Sequence, residues 1–249
     1  MKKLFVILFL LALVLPNAKN VLAQTEGVIT YEVTVNNHRM LTGEREAVKA
    51  MVPEFRIFKQ QLFFKENESL YKPLIEDDEE EDVHSGGGGG GRFRFRMQGA
   101  TTYFDQTSNI MLSQMDLMGK KYLITDTLKT APWKFGTETK IIQGYECMQA
   151  YYITDDERKQ TITAWYTSKL RPMLGPERYN TLPGAVLAVD INNGERVLVA
   201  KKIEVRELKK NELKAPTEGE KITQAEFRKK GEELRKQFRG SGGNVIIRN

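Results

Sequence analysis

The feature that most limits the fold is a rhythm of short alternating apolar segments, separated by turn residues, with no helical segment between them. "GVITYEVTVN" (27–36) sets the pattern: Ile29, Tyr31, Val33 and Val35 fall on one side of an extended chain, and Thr30, Glu32 and Thr34 on the other. Side chains of a strand alternate with period two, so such a segment buries one face and wets the other. "PEFRIFKQQLFFKENESLYKPL" (53–74) reads as two strands around the polar "ENES", and 101–128 as three more. "GYECMQAYYITDDERKQTITAWYTS" (144–168) is a hairpin about "TDDER". "AVLAVDINNGERVLVAKKIEV" (185–205) is another, with Asn193-Gly194 at a turn where both central residues need positive φ. Strand following strand excludes parallel β-α-β units. The expectation is a mainly β domain over 24–210: a single curved antiparallel meander of about eight to eleven strands, bent into a half-open barrel like that of lipoprotein carriers. One segment is ambiguous by period, because Met111, Met115 and Met118 also fit a helix face.

The two ends read differently. Lys2 and Lys3, then twelve apolar residues (4–15), then Val21-Leu22-Ala23 form the pattern of a secretory signal peptide over 1–23, with cleavage before Gln24. The apolar run is too short to span a bilayer, so the expected product is exported and not membrane-spanning after cleavage. Seven consecutive acids (76–82) and six glycines (86–91) predict a disordered acidic and Gly-rich loop at 76–91. "RFRFRM" follows, alternating arginine with apolar residues. The segment 211–249 reads as a basic tail with a peripheral helix over 223–239. Thr223 and Glu226 make a capping box there, and Phe227, Leu234 and Phe238 form a narrow apolar stripe. Residues 201–249 hold 14 basic and 8 acidic residues, whereas 24–200 carry a net −4. The chain without its leader is only +2, which gives no argument for a nucleic-acid partner.

Chemistry is sparsely encoded. His38 and His84 are the only histidines, His84 lies beside the acidic run, and no G-x-S-x-G is present, so a Ser–His hydrolase has little to build on. A paired-carboxylate hydrolase has no motif behind it. The expectation is a protein that is not an enzyme, with no cofactor. Cys147 cannot form an internal disulfide and sits among Tyr145, Met148 and Tyr151, as a small core residue would. Met111, Met115 and Met118 are weak candidates for soft-metal (copper) ligation, the alternative to a binding role; a hydrolytic enzyme is a weaker alternative. The conspicuous irregularity is the long interruption between Ser168 and Ala185, with three prolines and two glycines. With the strand before it, this loop supplies the ligand- or partner-binding candidates Trp165, Tyr166, Arg171, Tyr179, Leu182, Pro183 and Gly184. Turn chemistry is the competing explanation: Pro183 presets a turn, and Gly184 is expected at its positive-φ position.

Several ordered motifs carry a resemblance. Gly144, Tyr145, Cys147 and Ala150, then Ala164-Trp165-Tyr166-Thr167, Gly175-Pro176 and finally "TLPGAV" (181–186) resemble the GLPGLI family of exported Bacteroidetes proteins. "WKFGTETKIIQ" (133–143) and "MGKKYLI" (118–124) belong to the same resemblance, which covers roughly 27–205. This chain departs from the naming motif: Thr181 stands for its first glycine, and Ala185 and Val186 for Leu and Ile. The resemblance implies an exported protein of the periplasm or cell envelope and no defined reaction. The resemblance further suggests an accessory role for an outer-membrane transporter component, and the concave apolar face of a curved sheet, by analogy of shape alone, suggests binding of a hydrophobic small molecule or lipid.

Overall fold

The computed structural model describes residues 25–41, 43–75 and 99–240. The signal-peptide segment 1–23, the acidic and Gly-rich loop 76–91 with His84, and "RFRFRM" lie outside the described residues. Twelve strands form one open sheet: β1 Glu26–Asn36, β2 Phe55–Lys65, β3 Glu68–Pro73, β4 Thr101–Asp105, β5 Ile110–Leu117, β6 Lys120–Thr127, β7 Lys134–Ile142, β8 Tyr145–Ile153, β9 Thr161–Thr167, β10 Ala185–Ile191, β11 Arg196–Val205 and β12 Glu220–Thr223. Their order is β12-β6-β5-β4-β3-β2-β1-β11-β10-β9-β8-β7. The long strand β1 is central, paired with β2 over its whole length and with β11 on its other side. The face that alternation assigns to the core is buried as expected: Ile29, Tyr31 and Val33 are 0% exposed and Val35 5%. Two-residue turns at Met118-Gly119 and Gln143-Gly144 place a left-handed residue before a left-handed glycine, whereas the expected Asn193-Gly194 turn is part of a four-residue connection, 192–195, with positive φ at Asn192, Asn193 and Gly194. Two positive φ values in sequence match the right-handed twist of the strands they join.

The order also dictates curvature. Ten strand spacings separate β6 from β7, about 48 Å in a flat sheet at roughly 4.8 Å per strand. The connection between them, 128–133, is six residues long. Its seven peptide steps reach at most about 25 Å. The sheet is therefore bent, and its two ends are drawn toward each other. Irregular register in β1–β11 between Thr30 and Tyr31, in β10–β9 between Val186 and Ala188, and in β7–β8 between Phe135 and Thr139 adds local twist.

Three features differ from the sequence expectation. There are twelve strands rather than eight to eleven, because β12 comes from the segment read as tail. Glu220–Thr223 pairs with β6 in parallel, with Ile222 beside Ile124, so the sheet is antiparallel except at this end. A four-residue strand with one buried apolar residue carries no alternation to detect. Leu208 and, from the segment read as tail, Leu213 and Ala215 pack on Val28, Phe63, Leu70 and Tyr103. Finally, a short helix (Asn37–Met40) and a 3-10 stretch (Gly43–Met51) follow β1. The Met111–Met118 ambiguity resolves as strand, because Met111 lies opposite Phe104 on one side and Asp126 on the other.

The C-terminal helix, Gln224–Gly240, forms where the capping box places it. The Thr223 N–H donates to Glu226 Oε2 at 2.8 Å, and the Glu226 N–H donates to Thr223 Oγ1 at 3.2 Å. Phe227 sits edge-on to Tyr122, 5.5 Å between centroids. Thr223→Ala removes one half of the box and is expected to cost about 1 kcal/mol of helix stability. Hydrogen exchange over 224–230 should then accelerate several-fold while the β1 amides remain unchanged.

Candidate functional site

The loop 168–184 between β9 and β10 lies across the bent sheet. Its leucines enter the core: Leu170 (3% exposed) and Leu174 (0%) join Ile29, Tyr31, Leu62, Phe64 and Tyr71, and Leu182 (1%) joins Val33, Val189 and Leu198. Met173 packs on Phe104, Met111 and Leu128. Each leucine taken from water is worth roughly 1.5–3 kcal/mol, so the loop is an integral layer of the structure. Polar contacts hold its far side to strands distant in the sheet. Arg171 Nη2 donates to the Glu68 carbonyl oxygen at 2.8 Å and Arg178 Nη2 pairs with Asp126 Oδ2 at 2.8 Å; just past the loop, on β10, the Val186 carbonyl oxygen accepts from the buried Tyr31 hydroxyl at 2.6 Å.

In and beneath this loop is a cluster of ionisable groups, of which the sequence reading named Arg171 and Tyr179 but missed Glu177, Arg196 and Tyr71. Glu177, itself at φ +54, accepts from both Nη atoms of Arg196 on β11. Burial draws the guanidinium down, but the Glu177 carboxylate outweighs it, so the pKa of Arg196 stands above its ordinary value. Burial pushes the Tyr71 phenol well up, with the Glu177 charge adding to it; its hydroxyl is without a hydrogen-bond partner among the described residues. Tyr179 is raised likewise, by burial first and Glu177 second. Arg171, desolvated over the Phe64 ring at 5.8 Å, is lowered to about 10. The Glu177 and Arg196 side chains are 27% and 28% exposed, so removing one partner is expected to cost less than the roughly 3–5 kcal/mol of a fully buried pair, but the two-point geometry still ties the loop to β11. Nothing in the local sequence distinguishes Glu177 or Arg196 from surface charges; only the path of the loop brings them together.

The structure distributes the sequence candidates unevenly. Arg171, Tyr179 and Leu182 face into the loop–sheet interface, and Tyr166 (5% exposed) joins Leu182 and Val186 there. Trp165, one residue earlier on β9, packs instead against the cluster that holds Leu170, Leu174 and Cys147, and Lys140 Nζ stands 3.1 Å from its ring centroid. Pro183 is exposed. Gly184 is needed for a reason other than the expected one. It is not among the positive-φ glycines; instead, a Cβ at this position would overlap the Thr167 carbonyl oxygen. A Cβ on Gly175 would overlap the Tyr179 carbonyl oxygen in the same way. Thr181 has its own function in the fold. Its Oγ1 accepts from the Trp133 indole N–H at 2.8 Å, holding a ring that stands edge-on to Tyr152. Thr181→Val leaves that half-buried donor unpaired and is expected to cost about 1–2 kcal/mol in denaturant unfolding. Thr181→Ser keeps the oxygen and should stay within about 0.5 kcal/mol of the parent.

The thioethers are not assembled as one donor set. Met111 is in the cluster with Phe104 and Leu128, Met115 in that with Tyr122 and Ile222, and Met118 is 43% exposed at a turn with φ +57. His38 Nε2 is hydrogen-bonded at 2.8 Å to the Val52 carbonyl oxygen. Cys147 is 0% exposed, and burial pushes its thiol up to about 11. The thiolate is the reactive form, so the native protein should show almost no reaction with a disulfide reagent at pH 8 and one full equivalent in urea. A rapid native reaction would contradict this placement. A depression lies elsewhere. It is open and polar, about 310 Å³, between Lys72, Thr101 and Gln114 and the 211–218 segment.

Comparison with known proteins bears on the fold. Two structures of PNGF-II, in the P21 and C2 space groups, match with TM-scores of 0.54 and 0.54 at 15% and 16% identity. The match covers 83% and 82% of this chain. It covers only 33% and 32% of PNGF-II, so this chain spans about a third of that protein's length. At such identity the likeness is one of architecture alone. No family model and no curated protein matches the chain.

Proposed function

We propose that this chain is an exported, non-enzymatic GLPGLI-family protein of the bacterial cell envelope, an accessory that binds an apolar surface of a partner. The family reading rests on the ordered motifs from Met118 to Val186, and export on the leader pattern of residues 1–23. The observation that carries the binding reading is at the β7–β8 end of the sheet. Phe135 (62% exposed), Ile141 (69%) and Met148 (40%) present apolar side chains to solvent, and β7 is an edge strand with one side unpaired in the sheet order. Phe135 continues into the core through an edge contact with Tyr166, 6.1 Å between centroids. Apolar rows of this kind beside a free edge are the surfaces that partners cover.

In this reading the bent sheet is a half-open barrel of the lipoprotein-carrier kind, already filled on its inner side by the 168–184 loop. A flat apolar row suits a protein surface, such as an outer-membrane transporter component, better than a single acyl chain. A lipid or other hydrophobic small molecule would have to displace Leu170, Leu174 and Leu182. The non-enzymatic reading is supported by how two of the perturbed groups are used: Arg171 and Arg196 are engaged in bonds that hold the loop, and Tyr31 in one that holds β10.

The test is a photo-reactive residue in place of Ile141, expressed in an exporting cell. It should crosslink to an outer-membrane component, and Phe135→Glu with Met148→Glu should abolish the product. A protein confined to the cytosolic fraction, or a crosslink indifferent to both substitutions, would sink the proposal. Native mass spectrometry of the same preparation would reveal a co-purified lipid, the outcome that favours a carrier.

A further inference from the structure

We propose that β7 pairs edge to edge with β7 of a second copy of this chain, in a two-fold antiparallel register centred on Thr139. Among the described residues, one end of the sheet offers a long free edge. β12, at the other end, has four residues and runs straight into the capped helix. β7 has nine and pairs with β8 alone. A long uncovered edge is a template for another strand. The two-residue turn at Gln143-Gly144 fixes which atoms that edge offers. Ile142 and Tyr145 close the turn and exchange both of their main-chain bonds, and such pairs alternate along an antiparallel ladder. Lys140 is therefore bonded toward β8, and the N–H and C=O groups of Thr139 and Ile141 point off the free edge. No other backbone group reaches them among the described residues.

The side chains select the register and the partner. Thr139 lies opposite Met148 and Phe135 opposite Ala150, so Phe135, Thr139, Ile141 and Met148 share one face. Glu138 and Lys140 stand on the other side of β7, where Glu138 Oε2 accepts from Gln149 at 3.0 Å and Lys140 lies over the Trp165 ring. A residue that points off one edge pairs with a residue that points off the other, so β7 pairs with itself about a residue and never between two. Centred on Glu138, the pairing sets Glu138 against its own copy; centred on Lys140, it does the same with Lys140. Like charges directly opposite are destabilising. Centred on Thr139, it sets Glu138 opposite Lys140 twice, once on each side of the axis, with Thr139 opposite Thr139. Glu138 keeps a second oxygen and Lys140 further N–H donors for that contact. On the apolar face, exposed Ile141 comes opposite Thr137 and gains cover. The order of charge about Thr139 is self-complementary, which favours a second copy over a foreign strand, and an isologous pair closes on itself. The irregular register between Phe135 and Thr139 keeps the regular ladder short, so the association should be reversible.

The dimer needs neither export nor an envelope partner, and edge pairing leaves the face of Phe135 and Met148 open. This inference and the accessory reading can therefore fail separately. The experiment is sedimentation velocity on the chain beginning at Gln24, which keeps every strand, over a series of concentrations. A reversible monomer–dimer equilibrium is expected. Thr139→Pro removes an outward N–H that β8 does not use and should abolish the dimer, whereas Thr139→Val keeps it. Glu138→Lys alone, or Lys140→Glu alone, sets like charges opposite each other twice and should raise the dissociation constant about tenfold or more. Mixing these two variants restores both contacts between opposite charges and should bring the dissociation constant back to within about threefold of the parent. That rescue does not depend on how Thr139→Pro folds. A chain that stays monomeric up to about 1 mM overturns the proposal. So does a dimer indifferent to the charge reversals, or one that the mixture fails to restore. A dimer lost only on Phe135→Glu with Met148→Glu would assign the association to the apolar face and overturn it as well.

Discussion

Six residues impose the shape of this molecule. The connection 128–133 must carry the chain from β6 to β7, which are ten strand positions apart, and a short peptide has no way to do so across a flat sheet. Bending follows, and from bending follows an inner side that one loop can cross. Trp133, at the end of this connection, is itself tied to that loop through Thr181. The shortest link in the topology and the longest irregular segment of the described chain therefore meet at one hydrogen bond.

The loop 168–184 then makes the bend specific. Its leucines replace water on apolar faces of β1, β2 and β3, while Arg171, Arg178 and Glu177 reach backbone and carboxylate or guanidinium partners on β3, β6 and β11. Hydrophobic burial is nondirectional, whereas the bidentate Glu177–Arg196 pair has a fixed geometry. The first supplies stabilisation and the second sets the loop's position. The side of the sheet that a carrier would devote to a ligand is occupied by the protein itself, and the apolar surface left over is found at the β7–β8 end.

Legibility in the sequence followed the range of the interaction. Period-two alternation located β1, both strands around "ENES", the three strands of 101–128 and both later hairpins, because strand pattern and turn chemistry are local. The Thr223–Glu226 box was equally local and formed as read. β12 was missed because four residues with a single buried apolar side chain carry no period. Gly184 was recognised as constrained, but the constraint is a carbonyl oxygen of Thr167 seventeen residues away and not its own φ. Of the candidate residues, Arg171, Tyr166, Tyr179 and Leu182 do meet at the loop–sheet interface, while Trp165, separated from Tyr166 by alternation, packs on the cluster of Leu170, Leu174 and Cys147.

What the sequence by itself determined is ten of the twelve strands, all but β7 and β12, the capped helix and the uneven charge that leaves the C-terminal segment basic. These depend on backbone geometry and on neighbours a few residues apart. The tertiary structure decided the strand order, the bend, the burial of Leu170, Leu174 and Leu182 beneath and within the loop, and the pairing of Glu177 with Arg196. Each of those joins residues that are distant in the chain, and a pairing partner leaves no periodic trace in either segment that contributes to it.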